Sequence, residues 1–534
     1  MNGLIASDRK RWKSVAWRLV GILSLCALLQ MGHWLVGILP TPIEVIRAFG
    51  QLLLSAEFWQ DLAVSLARVS AGLALASGFA LLLSFMCFLS ASAANLIESS
   101  LSLIRPIPPI TWIPLSVAIF GLSETASIFV IFVGAFFPIF SSSTQALTFE
   151  GRAALVRARL IQGYSIRHFF QIVVPASLPT IFTGLSVAIG FGWMVVVVAE
   201  MISVKSGLGY QIQIERQLLR LDFVVAYMAV IGIVGALLGS GAAMLRDTLM
   251  PHLRAARDDR QIKVPTDPSP SGEKIECADE GGVGLSLRNV DYSYDPAAPV
   301  LSGINLDLAP GDLLAIVGPS GSGKTTLLNI LAGALKPTNG TIIATEGVAL
   351  PDAAGWVFQQ DGLFDWMTVR RNVEFGISPS GESLHPSVDK WLSLTGIQSF
   401  ADRFPASLSG GQRQRVQIAR ALASQRRIVL LDEPFSALDT INRQVLIPAI
   451  RSLLQRYGRT CVLVTHDIRD AIRFADRICV IDDKNHGIAA IVPIALNGVD
   501  ERESEQAVAQ NFDKIWSVLK RSDTTQRDGR LCNE

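Results

Sequence analysis

The feature that most constrains the fold is a glycine-rich loop that follows a short apolar run in the second half of the chain. The run and the loop together read Leu313-Leu314-Ala315-Ile316-Val317-Gly318-Pro319-Ser320-Gly321-Ser322-Gly323-Lys324-Thr325-Thr326. A buried-strand run, a first glycine and a closing Gly-Lys-Thr at this spacing predict a phosphate-binding loop that opens a helix. A plain Gly/Ser-rich turn between a strand and a helix is the alternative interpretation.

Each residue type in this loop has a chemical reason to be there. Glycines let backbone amides close on the β- and γ-phosphates of a nucleotide. The ammonium of Lys324 would neutralise those phosphates, and the hydroxyl of Thr325 is placed to ligate Mg²⁺. We therefore expect this half of the chain to bind a nucleoside triphosphate with Mg²⁺.

The length and composition indicate a second, different domain. A chain of 534 residues is too long for one hydrophobic core. Half of the residues are hydrophobic and only 17% are charged, which is low for a purely soluble protein and indicates a membrane portion. The net charge of +1 gives no reason to expect a nucleic acid partner. The six cysteines lack metal-binding spacing, so we expect them to be reduced and structural.

The first half of the chain contains runs of roughly 20 mostly apolar residues, the length of a membrane span. The six candidates are about 17–39, 62–89, 101–120, 126–147, 178–204 and 223–245. Buried helices of a soluble protein are the alternative, but that interpretation must explain six such runs in succession. We expect an all-α membrane domain of six spans followed by an α/β P-loop NTPase domain.

The basic residues predict how the spans are oriented. Clusters at 9–13, 152–167 and 246–260 all fall on one side of a six-span path. Because Lys and Arg are enriched on the cytoplasmic side, the N-terminus and the ATPase domain are predicted to lie in the cytoplasm. The predicted location is the bacterial cytoplasmic (inner) membrane.

The third candidate span is interrupted by the sequence Arg105-Pro106-Ile107-Pro108-Pro109. Prolines break a helix, and such breaks at membrane depth occur beside protein or a water-filled path. An ionisable residue within a span is a functional candidate, so Arg105 and Glu200 are predicted to border the solute path. For Arg105, and for Arg68 near a helix start, snorkelling to the interface is the alternative.

Two polar segments separate the apolar runs and the domains. Residues 149–179 are basic and partly apolar, and a helical segment there would present a contact to a cytoplasmic partner such as the attached ATPase. A solvated basic loop is the simpler alternative. Residues 258–284 are rich in proline, glycine and charge, which is typical of a solvated linker.

Further motifs follow the phosphate loop in order. Gln359 follows Val357-Phe358, and its amide could reach Mg²⁺ or the attacking water. A helix is predicted from Gln412 to Ala423, and the motif Ser409, Gly410, Gly411 and Gln412 lies at its start, so the amides of the motif and the Ser409 hydroxyl offer a second anion site.

Two apolar strands are predicted to end in catalytic groups. The run Ile428–Leu431 leads into Asp432, the usual position of a carboxylate that coordinates Mg²⁺, and Glu433 follows as a candidate general base. The run Val462–Thr465 leads into His466, which could touch the γ-phosphate. A capped structural histidine is the alternative for His466.

Long phrases of the first half resemble the permease subunits of bacterial importers for nitrate, taurine and alkanesulfonates. The phrases are LIRPIPPITWIPLSVAIFGLSETASIFVIFVGAFFPIF, VVPASLPTIFTGLSVAIGFGWMVVVVAEMIS and SGLGYQI, and the resemblance covers residues 40–250. It implies that residues 149–179 form the coupling loop. The Glu-Ala-Ala and Gly pattern of that loop is degenerate here, with Val156-Arg157-Ala158 and Gln162 in the corresponding places.

The second half, with LSGGQRQR and LLDEPFSALD in full, resembles the ATP-binding cassette of ABC transporters from about 285 to 482. The resemblance implies that two cassettes enclose two ATP, with Ser409 and Gly411 of one facing the γ-phosphate held by the other. A second copy of the chain is therefore the expected partner. The resemblance also implies that Tyr294 stacks on adenine, although a lone Tyr in a hairpin more often serves packing.

These observations predict a permease fused to its ATPase that imports a small, anionic solute delivered by an extracytoplasmic binding protein. An ABC exporter and a membrane-held, non-transporting ATPase are the alternatives. The expected organisation is a permease at 1–257, a linker at 258–284, a cassette at 285–496 and a tail at 497–534. Nitrate, bicarbonate, sulfonates, taurine and pyrimidine precursors all remain open as solutes, and so does pairing with a different permease.

Overall fold

The structure is a computed structural model, and it divides into two compact units. It describes residues 38–162, 165–253, 282–295, 298–345, 354–359, 362–377, 388–424, 426–436, 440–482, 485–494 and 504–524, with scattered positions between 17 and 35 and at 350, 438 and 496. The membrane unit comprises Met1–Gly151 and Ser177–Leu249, and the cassette unit comprises Arg152–Ala176 and Met250–Glu534. A short stretch within the permease sequence, Arg152–Ala176, thus packs with the ATPase.

The membrane unit is built of α-helices. They are α1 (Pro42–Leu54), α2 (Ala56–Leu89), α3 (Ala91–Ile104), a 3₁₀ turn (Pro109–Trp112), α4 (Ile113–Phe120) and α5 (Glu124–Gln145), which continues as a π-helical turn (Ala146–Gly151). The segment Arg152–Ala176 interrupts the unit with α6 (Arg152–Gln162) and a π-helical turn (Phe169–Val173), and α7 (Val174–Ser203), α8 (Leu208–Gln217) and α9 (Leu221–Leu249) follow.

Four of the described helices are long and apolar enough to cross a membrane, and a bent pair raises the number to five if it counts as one span. They contain the predicted spans 62–89, 126–147, 178–204 and 223–245 to within a few residues. The predicted first span, 17–39, is described only in part, because ten of its 23 positions fall outside the described residues. The protein is thus a multi-pass membrane protein, but a count of six spans is not confirmed.

The third predicted span, 101–120, is broken in the structure, as its prolines predict, but its first helix starts earlier than predicted. Helix α3 begins ten residues earlier, at Ala91, and ends at Ile104, and the following segment Pro109–Phe120 is bent from it by 85°. Pro106, Pro108 and Pro109 explain the break, because each removes a backbone donor and a proline disfavours helical geometry in the residue before it.

Helices α2 and α5 pack closely along their length. Gly72 lies where a Cβ atom would come within 2.5 Å of the side chain of Ile131, so the two helix backbones can approach only because this residue is glycine. Neighbouring positions bury Ala76, Ala80 and Ala135 completely. Small residues therefore make this contact.

The cassette unit has two sheets. Strands β1 (Leu285–Asp295), β2 (Ala298–Leu308) and β4 (Asn339–Ala344) form an antiparallel sheet in the order β2-β1-β4. A six-stranded sheet has the order β5-β6-β7-β3-β8-β9, from β3 (Leu313–Val317), β5 (Ala354–Val357), β6 (Ile428–Asp432), β7 (Thr460–Val464), β8 (Arg477–Ile481) and β9 (Ile488–Pro493). All its neighbours are parallel except β8 and β9.

Strands β3, β6 and β7 are buried at every residue, as expected for strands covered on both faces. The described helices of this unit, apart from Arg152–Gln162, are α10 (Lys324–Leu331), α11 (Val369–Glu374), α12 (Val388–Leu394), α13 (Gly410–Ala423), α14 (Thr440–Arg456), α15 (Ile468–Phe474) and α16 (Glu505–Thr524). The carboxyl ends of β3 and β6 carry the phosphate loop and Asp432. The parallel sheet thereby places at one edge motifs that lie far apart in sequence.

The C-terminal segment contains a helix that belongs to the cassette core. Val508 and Ile515 of α16 are buried in the main hydrophobic cluster, together with Phe474 of α15. The sequence predicts a helix from Glu501 to Leu519, and the observed helix runs from Glu505 to Thr524. The predicted linker, 258–284, lies almost entirely outside the described residues.

Candidate functional site

The phosphate loop has the backbone geometry that its glycines predict. Gly321 and Gly323 have φ angles of 87° and 88°, in the left-handed region that favours glycine. A Cβ atom on Gly318 would lie 2.9 Å from both the Ile481 carbonyl oxygen and Ser322 Oγ. Side chains at these positions would disrupt the loop, so the glycines are required for its shape.

Lys324 begins helix α10 and folds back over the loop. Its Nζ donates hydrogen bonds to the carbonyl oxygens of Gly318 at 3.0 Å and Pro319 at 2.5 Å. Lys324 is only 8% exposed. The ammonium therefore lies inside the loop, close to where a triphosphate would approach the amides of the helix N-terminus.

Asp432 and Thr325 lie together and could hold a divalent cation. The Thr325 hydroxyl donates a hydrogen bond to the Asp432 carboxylate, and Asp432 Oδ1 is buried without a hydrogen-bond partner in the described part of the chain. Burial, followed by the neighbouring Glu433 carboxylate, raises the pKa of Asp432 to about 6. A buried carboxylate oxygen with no donor beside a hydroxyl fits Mg²⁺, which prefers hard oxygen ligands.

Glu433 and His466 are brought together by adjacent strands. Glu433 follows β6, His466 follows β7, and His466 Nδ1 lies 3.0 Å from Glu433 Oε1. Glu433 has a φ angle of 47°, an uncommon conformation for a residue with a side chain, and its amide donates to the Val464 carbonyl oxygen at 2.9 Å. Such backbone strain is characteristic of functional positions.

The motif Ser409-Gly410-Gly411-Gln412 forms the start of helix α13. Ser409 is the N-cap: Gln412 N donates to Ser409 Oγ at 3.3 Å, and Ser409 N donates to Gln412 Oε1 at 3.0 Å. This reciprocal capping box fixes the turn. Ser409 and Gly410 are exposed, so this helix N-terminus is available to an anion outside the chain's own core.

Two further predicted residues lie at the surface. Gln359 is exposed just after strand β5. Tyr294 is 68% exposed near the end of β1, with its ring 5.0 Å from that of Tyr292 in an edge-to-face contact. An exposed ring is available for stacking on a base.

The segment Arg152–Ala176 contacts the ATPase through an apolar cluster, which we call the coupling cluster. Its fully or largely buried members are Ala154, Ala158, Ile161 and Ile172 from the segment and Phe364 and Phe375 from the ATPase. Polar contacts flank it: Trp366 Nε1 donates to the Gln171 carbonyl oxygen at 3.2 Å, and Gln162 Nε2 donates to the Ile377 carbonyl oxygen at 3.3 Å. The degenerate motif position Gln162 is thus part of the contact.

Glu200 is fully buried in the membrane unit and ion-paired. Arg68 Nη1 lies 2.7 Å from Glu200 Oε1, and Ser65 Oγ donates to the same carboxylate at 2.8 Å. The Gly209 amide donates to Glu200 Oε2 at 3.0 Å, and the Gly207 amide donates to Asp61 at 2.7 Å. The polar side chains of α2 and α7 therefore hold the start of α8, a structural use of Glu200 that the sequence did not suggest.

Arg105 is exposed at the break that follows α3 and lines two cavities of the membrane unit. One, of about 470 Å³, is also lined by Ser142 and Thr183. The other, of about 380 Å³, is lined by Glu98 and Gln145 as well. Arg105 thus borders two cavities, whereas Glu200 is fully buried.

Sequence reasoning missed the partners of these groups. Asp61, Ser65 and Arg68 are spaced by four and three residues on α2, which places them on one helix face. This spacing was the only signal of a shared polar cluster that we find in the sequence. Nothing in the sequence pairs them with Glu200, more than 130 positions away.

Two family models match the chain. The ABC transporter family matches residues 301–436, which include the phosphate loop and Asp432. The family described as binding-protein-dependent transport system inner membrane component matches residues 80–255. The first match lies within the predicted cassette, 285–496, and the second lies within the predicted permease, 1–257.

The ATPase has curated relatives. A taurine import ATP-binding protein from Ruegeria pomeroyi is 42% identical over 252 residues, covering 44% of this chain and 94% of the relative. One from Roseobacter denitrificans is 41% identical over 207 residues, covering 37% and 77%. A sulfate/thiosulfate import ATP-binding protein from Bacillus cereus is 45% identical over 214 residues, covering 38% and 59%. A solved dimeric bacterial ABC transporter cassette is 33% identical, covers 40% of this chain and 99% of its own, and superposes with a TM-score of 0.36.

The phosphate loop, the paired Glu433 and His466 and the apolar membrane helices now have one explanation. Relatives that share more than 40% identity over most of their length share the cassette, and the permease match covers the helices that precede it. The chain therefore belongs to the ABC transporter family and joins the permease and the ATPase of an ABC importer in one polypeptide.

Proposed function

We propose that two copies of this chain form an importer that moves a small sulfonate-like or sulfate-like anion across the bacterial inner membrane. The observation that carries the solute class is the exposed Arg105 at the helix break, which lines cavities in the permease. The relatives named for taurine import and for sulfate/thiosulfate import support the same class. An extracytoplasmic binding protein would deliver the solute, in keeping with the family description of the permease match.

The nucleotide site supports a hydrolytic mechanism with defined roles. Lys324 and the loop amides bind the phosphates, and Thr325, Asp432 and Gln359 would hold Mg²⁺, which neutralises charge on the phosphates when bound. Glu433 accepts a proton from the attacking water, and the 3.0 Å contact from His466 orients its carboxylate.

Homodimerisation follows from the chemistry of the two motifs. Each chain carries one phosphate loop and one exposed Ser409-Gly410-Gly411-Gln412 motif at a helix N-terminus. In the arrangement implied by the family, each motif completes the site of the partner copy. An isologous pair gives two complete sites and two permease halves around one path.

The coupling cluster would transmit cassette closure to the membrane helices. Segment Arg152–Ala176 continues directly from α5 and into α7, and its apolar residues pack on Phe364, which lies a few residues after Gln359. Displacement of the segment that bears Gln359 would therefore move the ends of two membrane helices. In the proposed six-span arrangement, the segment Arg152–Ala176 lies on the same side of the membrane as the ATPase, which is the cytoplasmic side.

The exporter alternative and the non-transporting ATPase alternative both lose support. The permease matches the inner membrane component of binding-protein-dependent systems, which is an importer description. Several long apolar helices with a proline-broken pair exceed what an anchor needs, since one span suffices to hold an ATPase at a membrane.

Uptake of a labelled solute panel tests the proposal. Cells that lack the gene receive the wild-type chain, and taurine, an alkanesulfonate, sulfate, nitrate, bicarbonate and a pyrimidine precursor are supplied in turn. We expect accumulation of a sulfonate or sulfate only with the chain present, and loss of that accumulation when the binding protein is removed. Accumulation of the pyrimidine alone would contradict the solute class, and faster efflux with the chain present would contradict import.

A further inference from the structure

The chain changes its surroundings abruptly where it leaves the last membrane helix, α9. Near the end of that helix Leu245 is 51% exposed and Leu249 is 58% exposed, whereas the next residue, Met250, is only 1% exposed. His252 is also buried, at 9%. From Met250 onward the chain packs with the cassette unit. The residues that directly follow α9 are therefore held by the unit that contains the ATPase.

This burial is more than a simple connection requires. The sequence predicts a solvated linker that begins at about residue 258, a short distance further along the chain. A chain that only leads into such a linker has no need to bury a methionine and a histidine. Burial of a polar ring also costs free energy unless the ring gains contacts. Residues 250–253, which we call the exit segment, therefore need a specific contact to explain their burial.

The structure provides such a contact at His252. Its ring lies 6.2 Å from the ring of Phe404, measured between centroids, and the two planes are tilted by 56°. Burial lowers the pKa of His252, and the nearby Asp365 carboxylate opposes that shift. Asp365 directly follows Phe364 of the coupling cluster. The exit segment is thus close both to Phe404 and to the stretch that contacts the segment Arg152–Ala176.

Phe404 leads directly into the motif at the start of α13. Its carbonyl oxygen accepts hydrogen bonds from the amide of Ser407 at 3.0 Å and from the hydroxyl of Ser407 at 2.7 Å, which closes a short 3₁₀ turn. Arg413 Nε of α13 donates to the Pro405 carbonyl oxygen at 2.8 Å. Ser409, the N-cap of α13, follows this turn. Because a packed and hydrogen-bonded turn transmits displacement, movement of the motif moves Phe404.

The coupling cluster reaches a different part of the nucleotide site. Its member Phe364 lies a few residues after Gln359, and the segment that packs on it continues from α5 and into α7. The exit segment instead continues from α9 and reaches the turn that precedes Ser409. The two contacts therefore connect different membrane helices to different motifs of the ATPase.

We propose that the exit segment is a second coupling contact, in which His252 packs on Phe404 and links the position of α9 to that of the Ser409-Gly410-Gly411-Gln412 motif. His252 is a positioning residue, since it acts through Phe404 rather than on the nucleotide. In the proposed dimer this motif closes on the nucleotide of the partner copy, so α9 responds to ATP held by the partner. The inference rests on the proposed function and extends its transmission from one contact to two.

Hydrogen exchange of the purified full-length chain tests the contact without any solute. In a Glu433→Gln background, MgATP should bind without rapid hydrolysis and hold two cassettes together. We expect MgATP to raise the protection factors of residues 240–253. His252→Ala and Phe404→Ala should each reduce that rise at least about twofold, the effect of removing one residue from a coupled network. His252→Phe keeps a ring against Phe404 and should restore the rise.

Phe512→Ala is the matched control, because it removes a ring contact of similar length elsewhere in the cassette. The Phe512 ring lies 5.9 Å from the ring of Trp516 on the same helix, α16. This variant should keep the full rise in protection. MgATP affinity verifies that the cassette of each variant is folded, and Phe404→Ala tests the contact from its other side.

A second readout is the ratio of solute uptake to ATP hydrolysis, without the Glu433→Gln substitution and with the labelled solute that the uptake panel identifies. His252→Ala should lower this ratio at least about twofold. His252→Phe and Phe512→Ala should keep it. A residue that served stability alone would lower uptake and hydrolysis together and leave their ratio unchanged.

The outcomes separate this inference from the function on which it rests. An equal rise in protection with and without His252→Ala would overturn the second coupling contact and leave import standing. Loss of the rise in His252→Phe as well as in His252→Ala would also overturn it, because the ring contact would then not be the link. Failure of every labelled solute to accumulate would instead overturn the import function, and the exchange measurement would still decide the contact.

Discussion

The nucleotide site and the polar cluster around Glu200 are built in opposite ways. The first uses consecutive residues, from Gly318 to Thr325, whose backbone amides we propose to bind the phosphates, together with strand ends that a parallel sheet brings to the same edge. The second uses Asp61, Ser65 and Arg68 on one helix and a carboxylate on another, joined only in the folded structure. A site built from consecutive residues can be predicted from the sequence. A site built from residues that meet only in the folded structure cannot.

The largest expected effect concerns Glu433 in the nucleotide site. Glu433→Gln removes the proposed general base, so ATP hydrolysis should fall by about 100- to 10,000-fold while nucleotide binding is retained. Phosphate release and nucleotide affinity of the purified chain measure the two effects. Glu374→Gln, an exposed glutamate at the end of α11, is the control and should hydrolyse ATP at the wild-type rate.

Retained hydrolysis in Glu433→Gln would show that another group removes the proton from water. It would also remove the assigned role of His466, whose contact with Glu433 would then be structural.

The second effect concerns Arg68 in the membrane cluster. Arg68→Met leaves the buried Glu200 carboxylate without its cation, so the free energy of unfolding of the membrane unit should fall by about 3–5 kcal/mol. The double variant with Glu200→Gln should lose less than the two single variants add up to. Equilibrium unfolding in mixed micelles, followed by tryptophan fluorescence, measures these values.

Full additivity of the Arg68 and Glu200 substitutions would contradict the ion pair. A loss of solute selectivity in Arg68→Met at unchanged stability would instead place this cluster in the solute path.

A third, smaller effect lies in the coupling cluster. Phe364→Ala removes a fully buried ring that packs on the segment Arg152–Ala176, at a cost of about 3 kcal/mol, and solute uptake per ATP hydrolysed should fall. Phe400→Ala is the matched control: Phe400 is equally buried but belongs to the separate main cassette core. We expect that variant to lose stability without a change in the ratio of uptake to hydrolysis. Equal ratios in both variants would contradict transmission through Phe364.

The smallest expected effect is a pH dependence of stability in the segment Arg152–Ala176, where it contacts the ATPase. Burial, followed by the nearby Arg159 guanidinium, lowers the pKa of His168, so the folded state favours the neutral ring. Stability from this group is present above its unfolded pKa of about 6.5 and is lost as the pH falls through the lower folded value. The hydrogen-exchange protection factors of residues 165–176, which correct for the pH dependence of intrinsic exchange, should therefore be lower at pH 5.5 than at pH 7.5, and His168→Gln should remove most of that difference. A larger difference in the variant would contradict the assignment.

Much of the fold was predictable because its signals are local. Continuous apolar runs predict strands β3 and β6, which are buried on both faces, and long apolar runs predict α2, α5, α7 and α9. The break at Arg105 was predicted from its prolines. Its 85° angle was not, because the direction of a bend is set by the helices that pack around it.

The candidate site was predictable to different depths. The phosphate loop, Asp432 and Glu433 were located by motif order. The contact between Glu433 and His466 depends on two adjacent strands ending at the same level, which is a property of sheet register. The pairing of Arg68 with Glu200 and the sharing of one cavity by Glu98 and Arg105 depend on helix packing, for which a single sequence carries no direct signal.

The most direct test of the account is uptake of the labelled sulfonate or sulfate that the solute panel identifies, into cells that carry the wild-type chain, Lys324→Ala or the control Lys336→Ala. Lys324 lies inside the phosphate loop, whereas Lys336 is an exposed lysine beyond the end of α10. If ATP bound by this chain drives import through it, wild type and Lys336→Ala will accumulate that solute against its gradient and Lys324→Ala will not. Accumulation by Lys324→Ala at the wild-type level would contradict the central claim.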